Sequence, residues 1–174
     1  KYWDGRVPSQ NNLNNYDKLI LEKLAKFPNK IGIAIEKFKF KEALGELMNL
    51  ARLGNKYLAD TEPWKLRSED KKRTETIMNI SIQISASLAI LAESFMPFTA
   101  NKLQNMLSLN KISWNDAGGI IIADNHKIST ATHLFRKIED KEIKEQIDKF
   151  KKSLILSRSD PFGEGEIFQN RRLL

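Results

Sequence analysis

The chain has 174 residues, of which 41% are hydrophobic and 29% charged, so its composition is that of a folded domain and excludes a disordered segment. It contains no cysteine and only two histidines, His126 and His133, which excludes a disulfide framework, a thiolate zinc site and a cysteine nucleophile. Lys and Arg number 29 against 22 Asp and Glu, and the resulting net charge of +7 favours either a polyanionic partner or a lysine-rich solvated surface.

The spacing of apolar residues predicts about five helices after an extended lead-in over residues 1–12, which has no amphipathic period. From Tyr16 onward the apolar residues recur at spacings of three and four, which is typical of a helix face, and Pro28 should kink or divide this first helix. The expected helices are Tyr16–Lys37, Phe40–Ala59, Asp70–Ser94, Pro97–Leu107 and Lys141–Leu154.

The third of these helices is apolar nearly all round, which predicts that it is the central, buried helix, with Ile84 and Leu88 in the core. Polar residues interrupt its apolar run, so we do not expect it to span a membrane. The other buried stripes are expected to be Phe40, Leu44, Leu47, Ala51, Gly54 and Leu58 in the second helix, Phe98, Leu103, Met106 and Leu107 in the fourth, and Ile143, Ile147, Phe150 and Leu154 in the last.

Between the fourth and fifth helices the helical period disappears, and residues 118–128 indicate a short hairpin or an irregular extended strap. Residues 156–174 lack any period and are expected to form a tail or linker. Helices that follow one another in series form bundles, so the sequence predicts an all-α helix bundle over residues 1–155.

The sequence offers no catalytic or metal site. It lacks the glycine-rich loops that hold nucleotide phosphates, and its two histidines have no acidic pair at metal-ligand spacing. We therefore assign no catalytic residue and no metal ligand.

The segment from Gly54 to Trp64 holds the candidates for ligand binding. Asn55 lies at the edge of the apolar stripe, and a buried asparagine bonded to a neighbouring helix is the structural interpretation of it. Trp64 follows a helix-ending proline and is close in sequence to the basic residues Arg52, Lys56, Lys65 and Arg67. An indole among cations suits an unstacked nucleic-acid base, and a tryptophan lid that closes the end of the bundle is equally compatible with the sequence.

Several segments resemble the C-terminal helical domain of methionyl-tRNA synthetases in residue and spacing. Asn55, Tyr57, Pro63 and Trp64 match the family signature N-x-Y-x(5)-P-W. The further similar segments, in the same order as in the family, are KYWDGRVP at residues 1–8, Phe38–Leu50, Phe95–Ala100 and Leu134–Glu139.

The resemblance implies an anticodon-binding bundle that recognises the CAU anticodon of methionine tRNAs within an ATP-dependent methionine–tRNA ligase. It implies that Trp64 stacks on the first anticodon base and that Asn55 shapes or contacts the anticodon loop. We add Arg52 and Lys56 from their charge and helical position. ATP, methionine and zinc would belong to a catalytic part that is absent from this chain, and the chain alone is expected to be catalytically inactive.

The expected partners are tRNA(Met) and the catalytic part of the same protein, in the cytoplasm, with neither DNA nor a membrane as a partner. Two alternatives stay open. One is the equivalent bundle of another class Ia synthetase, and the other is a helical protein-interaction module in which Trp64 and the basic loop hold an acidic partner.

Overall fold

The computed structural model describes residues 2–159, and within that range it contains seven α-helices and no β-strand, which confirms the predicted all-α class. The helices are α1 (Asn15–Leu24), α2 (Phe27–Glu36), α3 (Phe40–Thr61), α4 (Pro63–Leu66), α5 (Lys71–Leu91), α6 (Pro97–Met106) and α7 (Asp140–Ser159). Two short 3-10 helices accompany them at Ala92–Ser94 and Trp114–Asp116.

The first predicted helix, over residues 16–37, is two helices. Pro28 lies in the first turn of α2, where its missing N–H is tolerated, and it therefore begins a helix instead of kinking one. α1 begins at a capping box in which the Asn14 side chain accepts a hydrogen bond from the Asp17 N–H at 2.8 Å, while the Asp17 carboxylate accepts one from the Asn14 N–H at 3.0 Å.

The described residues fall into two compact units, one over residues 2–134 and one that begins at Phe135. The expected end of the helical domain near residue 155 stays a prediction. In the described part of the second unit, α7 is longer than predicted, and its apolar stripe is exposed instead of buried. The exposed stripe consists of Ile143, Ile147, Phe150 and Leu154. Most of the predicted tail lies outside the described residues.

Helix α5 is the central helix of the first unit, as predicted, and 12 of its 21 residues are buried. Its isoleucines pack against apolar side chains of α1, α2 and α3, among them Ile20, Leu24, Ile31, Leu47 and Leu50. By length and composition residues 71–94 could cross a membrane, but 72% of the most apolar window is buried inside the protein. This helix therefore forms the hydrophobic core of the first unit.

The buried face of α3 is rotated from the predicted stripe. Its buried residues are Ala43, Leu47, Leu50 and Tyr57, while Phe40 and Leu44 are exposed. The predicted set has spacings of three and four, and the observed set has spacings of four, three and seven; both fit a helical period, so periodicity alone does not choose between them. Gly54, a member of the predicted stripe, does face α5: a Cβ at this position would lie 3.1 Å from Cγ2 of Ile84, and its absence lets α3 and α5 approach closely.

The predicted buried face of α6 is partly wrong. Ala100 and Leu107 are buried and Leu103 is partly buried, in a stripe with spacings of three and four. Phe98 was expected on this face but is 86% exposed, because it lies off that stripe.

Residues 118–128 form an extended strap whose chain turns at Asp124 and Asn125, where the His126 N–H donates to the Ala123 carbonyl at 3.2 Å. Beyond this turn the strap pairs with the lead-in, so it is the predicted extended strap and not a two-stranded hairpin. The Val7 N–H donates to the His126 carbonyl at 2.9 Å, and the Asn125 N–H donates to the Val7 carbonyl at 2.8 Å. Gln83, buried on α5, binds the strap: its Oε1 accepts hydrogen bonds from the N–H groups of Ile121 and Ile122 at 2.8 and 3.0 Å. The polar interruptions of α5 thus anchor the two extended segments to the bundle.

Two truncations in α5 test this core. Ile84→Ala is expected to lower the free energy of unfolding by about 2–5 kcal/mol, because the buried side chain would leave a cavity. Leu88 was predicted to be equally buried, but it packs at the margin of the core and is only partly buried, so Leu88→Ala should cost less. Chemical denaturation measures both losses, and a larger loss for Leu88→Ala would contradict this assignment.

Candidate nucleic-acid interface

Trp64 is placed at the surface by the way α3 ends. The last residue of α3 is followed by Glu62 in the left-handed conformation (φ 42°, ψ 55°), and the buried Pro63 begins the single-turn helix α4. Lys65 then pairs with Glu62 at 2.8 Å across this turn. The Trp64 side chain is 62% exposed, which disfavours a lid that closes the end of the bundle.

An aromatic pocket of about 530 Å³ lies beside Trp64. The residues around it include Tyr2, Trp3, Leu58, Pro63, Trp64 and Arg67. The Arg67 guanidinium lies over the Tyr2 ring, with Cζ 3.9 Å from the ring centroid. The indole Nε1 of Trp3 is buried and has no hydrogen-bond partner within residues 2–159. Aromatic faces and one guanidinium suit a flat heterocycle such as an unstacked base.

The sequence missed Tyr2 and Trp3 as members of this pocket, because they lie in the lead-in, far along the chain from Trp64. Hydrogen bonds fix that lead-in to the bundle and to the strap: the Asn79 side-chain amide of α5 donates to the Pro8 carbonyl at 2.8 Å, and the Arg6 guanidinium donates to the Asn125 carbonyl of the strap at 3.1 Å. Two adjacent aromatic residues in an otherwise polar segment were the available signal.

Asn55 is exposed, so the interpretation of it as a buried asparagine is wrong. It does not line the pocket of Trp64, and within the described part of the chain its side chain makes no hydrogen bond.

Tyr57, the tyrosine of the signature, has a structural role. It is fully buried, and its hydroxyl donates to Oδ1 of Asp17 at 2.7 Å. Burial and the neighbouring carboxylate raise the pKa of the Tyr57 hydroxyl above its usual range. Arg73 completes the network, with Nη2 2.9 Å from the same Asp17 oxygen. The signature thus combines a core residue, Tyr57, with an exposed one, Trp64.

Arg52 and Lys56 lie in a different place from the pocket of Trp64. They line a groove of about 360 Å³ between α3 and the corner where α1 meets α2, together with Lys23, Lys26 and Lys30. We call this site, defined by these five cations, the basic groove. Of the four cations that are close to Trp64 in sequence, Arg67 alone lines the aromatic pocket in the described residues.

Hydrogen bonds hold both cations of α3 in the groove. The Arg52 guanidinium donates to Oδ1 of Asn49 at 2.9 Å, and Nζ of Lys56 lies 3.0 Å from Oδ2 of Asp60. The same carboxylate accepts from the Tyr16 hydroxyl at 2.5 Å. That hydrogen bond is the main reason why the pKa of Tyr16 is raised to about 12 and the pKa of Asp60 lies below its usual range.

The described residues do not fit a metal ion. Between residues 2 and 159 no group of three or more His, Asp or Glu side chains could hold one. His126 has a structural contact instead, with Nε2 2.9 Å from the Leu107 carbonyl oxygen, and His133 is exposed.

Comparisons with known proteins agree on one family. The family model described as the anticodon binding domain of methionyl tRNA ligase matches residues 7–153. The methionine–tRNA ligase of Flavobacterium psychrophilum is 48% identical over 152 residues, which cover 86% of this chain and 22% of that protein. The corresponding ligase of Cytophaga hutchinsonii is 48% identical over 150 residues, with the same coverage. The chain thus spans about 22% of the length of these relatives.

Solved structures show the same fold at lower identity. The free-state methionyl-tRNA synthetase of Mycobacterium tuberculosis superimposes with a TM-score of 0.75 at 21% identity, over 80% of this chain and 29% of that chain. The same synthetase bound by methionyl-adenylate gives a TM-score of 0.71 over 78% of this chain and 28% of that chain.

Proposed function

Because this chain belongs to the family of anticodon-binding domains of methionyl tRNA ligases, we propose that it binds the anticodon stem-loop of tRNA(Met). The resemblance found in the sequence is confirmed, and the alternative of another class Ia synthetase is set aside. The observation that carries the proposal is the exposed Trp64 of the family signature, which lies beside an aromatic pocket with a stacked guanidinium.

The whole protein, in this proposal, joins methionine to tRNA(Met) at the expense of ATP in the cytoplasm. This chain recognises and positions the tRNA, whereas a part outside it binds ATP and methionine and carries out the reaction. Two facts support this division: the chain spans about 22% of its relatives, and its sequence has no phosphate-binding loop. We leave zinc to the same outside part, because residues 2–159 do not fit it.

In the aromatic pocket, Trp64 would stack on an anticodon base that has left its own stack. Such stacking contributes about 1–3 kcal/mol per base, and it needs an exposed ring because the base must cover one of its faces. Arg67 would offset the charge of the adjoining phosphate, and the Trp3 ring would form part of the apolar wall of the pocket. Asn55, exposed and without a partner among the described residues, would contact the anticodon loop outside the pocket.

Binding to a tRNA with an altered anticodon tests this function. The full-length protein should bind tRNA(Met) at least about tenfold more tightly than the same tRNA with CAU changed to CAC, a difference of about 1.4 kcal/mol. Equilibrium binding at fixed salt measures this ratio. Equal affinities would favour the remaining alternative, a protein-interaction module that binds RNA only through charge.

A further inference from the structure

The basic groove collects five cations from three helices. Lys23 lies in the last turn of α1, Lys26 is the residue before α2, and Lys30 lies in the first turns of α2. Arg52 and Lys56 are four residues apart on α3 and therefore share one face of that helix. The described residues that line the groove include no Asp or Glu.

Carboxylates at the margin neutralise this charge only in part. Nζ of Lys30 lies 3.8 Å from Glu46, and Nζ of Lys56 lies 3.0 Å from Asp60. Both pairs are at the surface, where ion pairs are weak and exchange readily. Within residues 2–159, Lys23, Lys26 and Arg52 have no carboxylate within ion-pair distance. Like charges gathered in one groove repel each other, so the arrangement favours an anionic occupant.

The lining of the groove also suits a chain that carries phosphates. Phe27 and Leu53 contribute apolar surface, and Nζ of Lys30 lies 5.6 Å from the centre of the Phe27 ring. Asn49 accepts one hydrogen bond from Arg52, which orients the guanidinium and leaves its other N–H groups to donate. Guanidinium groups bind phosphate oxygens through such pairs of donors.

The groove and the aromatic pocket are a short distance apart along the axis of α3. Lys56 is five residues from Thr61, the last residue of α3, or about 7.5 Å along the helix axis at 1.5 Å per residue. Arg52 is nine residues from that end, or about 13.5 Å. The turn that carries Trp64 follows directly. Leu58, the pocket's residue on α3, and Lys56 lie on opposite sides of the helix, so an RNA that contacts both sites would cross the exposed face of α3 that carries Asn55.

We infer that the basic groove is a second site for tRNA, which binds the phosphates of the RNA backbone while the aromatic pocket binds a base. This inference rests on the proposed function, and it extends the site to Lys23, Lys26 and Lys30, which no sequence pattern singled out. An acidic protein segment could also occupy a basic groove. RNA is favoured because the same unit carries the exposed Trp64 of the anticodon-binding family, about 7.5 Å or more along the axis of α3 from the groove.

The test is the salt dependence of tRNA(Met) binding by the full-length protein and its Lys26→Ala/Arg52→Ala variant. Each phosphate neutralised by a cation contributes about 0.7–0.9 to the slope of log affinity against log salt. Loss of two contacts should therefore reduce the slope by about 1.4–1.8, and the advantage of the wild type should fall about 7- to 12-fold between 50 and 200 mM salt.

Two matched variants separate a local contact from a general loss of charge. Lys41→Ala/Lys102→Ala removes the same charge from exposed positions outside the groove and should leave the slope close to that of the wild type. Lys26→Arg/Arg52→Lys keeps the charge in the groove and should retain the wild-type slope. Equal slopes for the groove variant and the Lys41/Lys102 control would overturn the inference.

Polyglutamate, added as a competitor, distinguishes the two kinds of occupant. If the groove variant no longer binds polyglutamate but keeps the wild-type salt slope with tRNA(Met), the groove serves an acidic protein segment and the inference is wrong. The proposed function has its own test: it is wrong if the wild-type protein binds tRNAs with CAU and CAC anticodons equally well. A retained anticodon preference together with an unchanged slope in the groove variant rejects only the phosphate site.

Discussion

Replacement of Trp64 by alanine is expected to weaken tRNA(Met) binding roughly 5- to 150-fold, the equivalent of about 1–3 kcal/mol of lost stacking. The folding stability should change little, because the side chain is 62% exposed and its removal leaves no cavity in the core. Trp64→Phe should keep part of the affinity, since a smaller aromatic ring still offers a stacking face.

Affinity and stability have to be measured on the same variant. Equilibrium binding of tRNA(Met) by the full-length protein gives the first, and the denaturant midpoint gives the second. Phe98→Ala is the matched control, because Phe98 is an aromatic residue that is 86% exposed and lies outside the aromatic pocket. Unchanged affinity together with a loss of about 3–5 kcal/mol in stability would instead assign Trp64 to the core.

Local signals in the sequence were sufficient for the order of the helices. Pro28 and Pro63 mark real helix boundaries because proline lacks the N–H that an interior helical position needs. The apolar α5 is the central helix, because a helix that is apolar nearly all round would expose apolar side chains to water on any side left uncovered. The face of α3 was partly misassigned because two overlapping stripes satisfy the same period, and only packing against the neighbouring helices decides which one is buried.

The composition of the two candidate sites depends on contacts between distant parts of the chain. The family signature identified Trp64, but Tyr2 reaches its pocket only because the lead-in is bonded to a strap more than 100 residues later. We grouped Arg52 with Trp64 because the two are close in sequence. In the structure Arg52 instead lines the same groove as Lys26, because the α1–α2 corner packs on α3. No periodicity encodes such contacts, which arise from packing between separate helices.

Asp17→Ala is expected to lower the free energy of unfolding by about 3–5 kcal/mol, the loss measured when one partner of a buried ion pair is removed. The Asp17 side chain is fully buried and accepts hydrogen bonds from Arg73, from the Tyr57 hydroxyl and from the Asn14 N–H. Its removal leaves the Arg73 charge and a buried hydroxyl without a partner and also opens the cap of α1. Glu22→Ala, an exposed change on the same helix, should stay within about 0.5 kcal/mol.

The loss should depend on pH. Burial alone would raise the pKa of the Asp17 carboxyl, but hydrogen bonds from Arg73, Tyr57 and the Asn14 amide outweigh it and hold the pKa below its usual range. The folded state therefore binds this proton less readily than the unfolded chain. The stabilisation is complete above about pH 4, the usual pKa of an aspartate, and is lost as the pH falls through the lower folded-state value.

Urea unfolding of the wild type and of Asp17→Asn between pH 6 and pH 2 tests this linkage. Asparagine cannot ionise, so the variant lacks the contribution that acid removes from the wild type. The stability difference between the two proteins should be largest near pH 6 and should shrink toward pH 2. A difference that stays constant over this range would show that Asp17 acts through its shape and hydrogen bonds, without its charge.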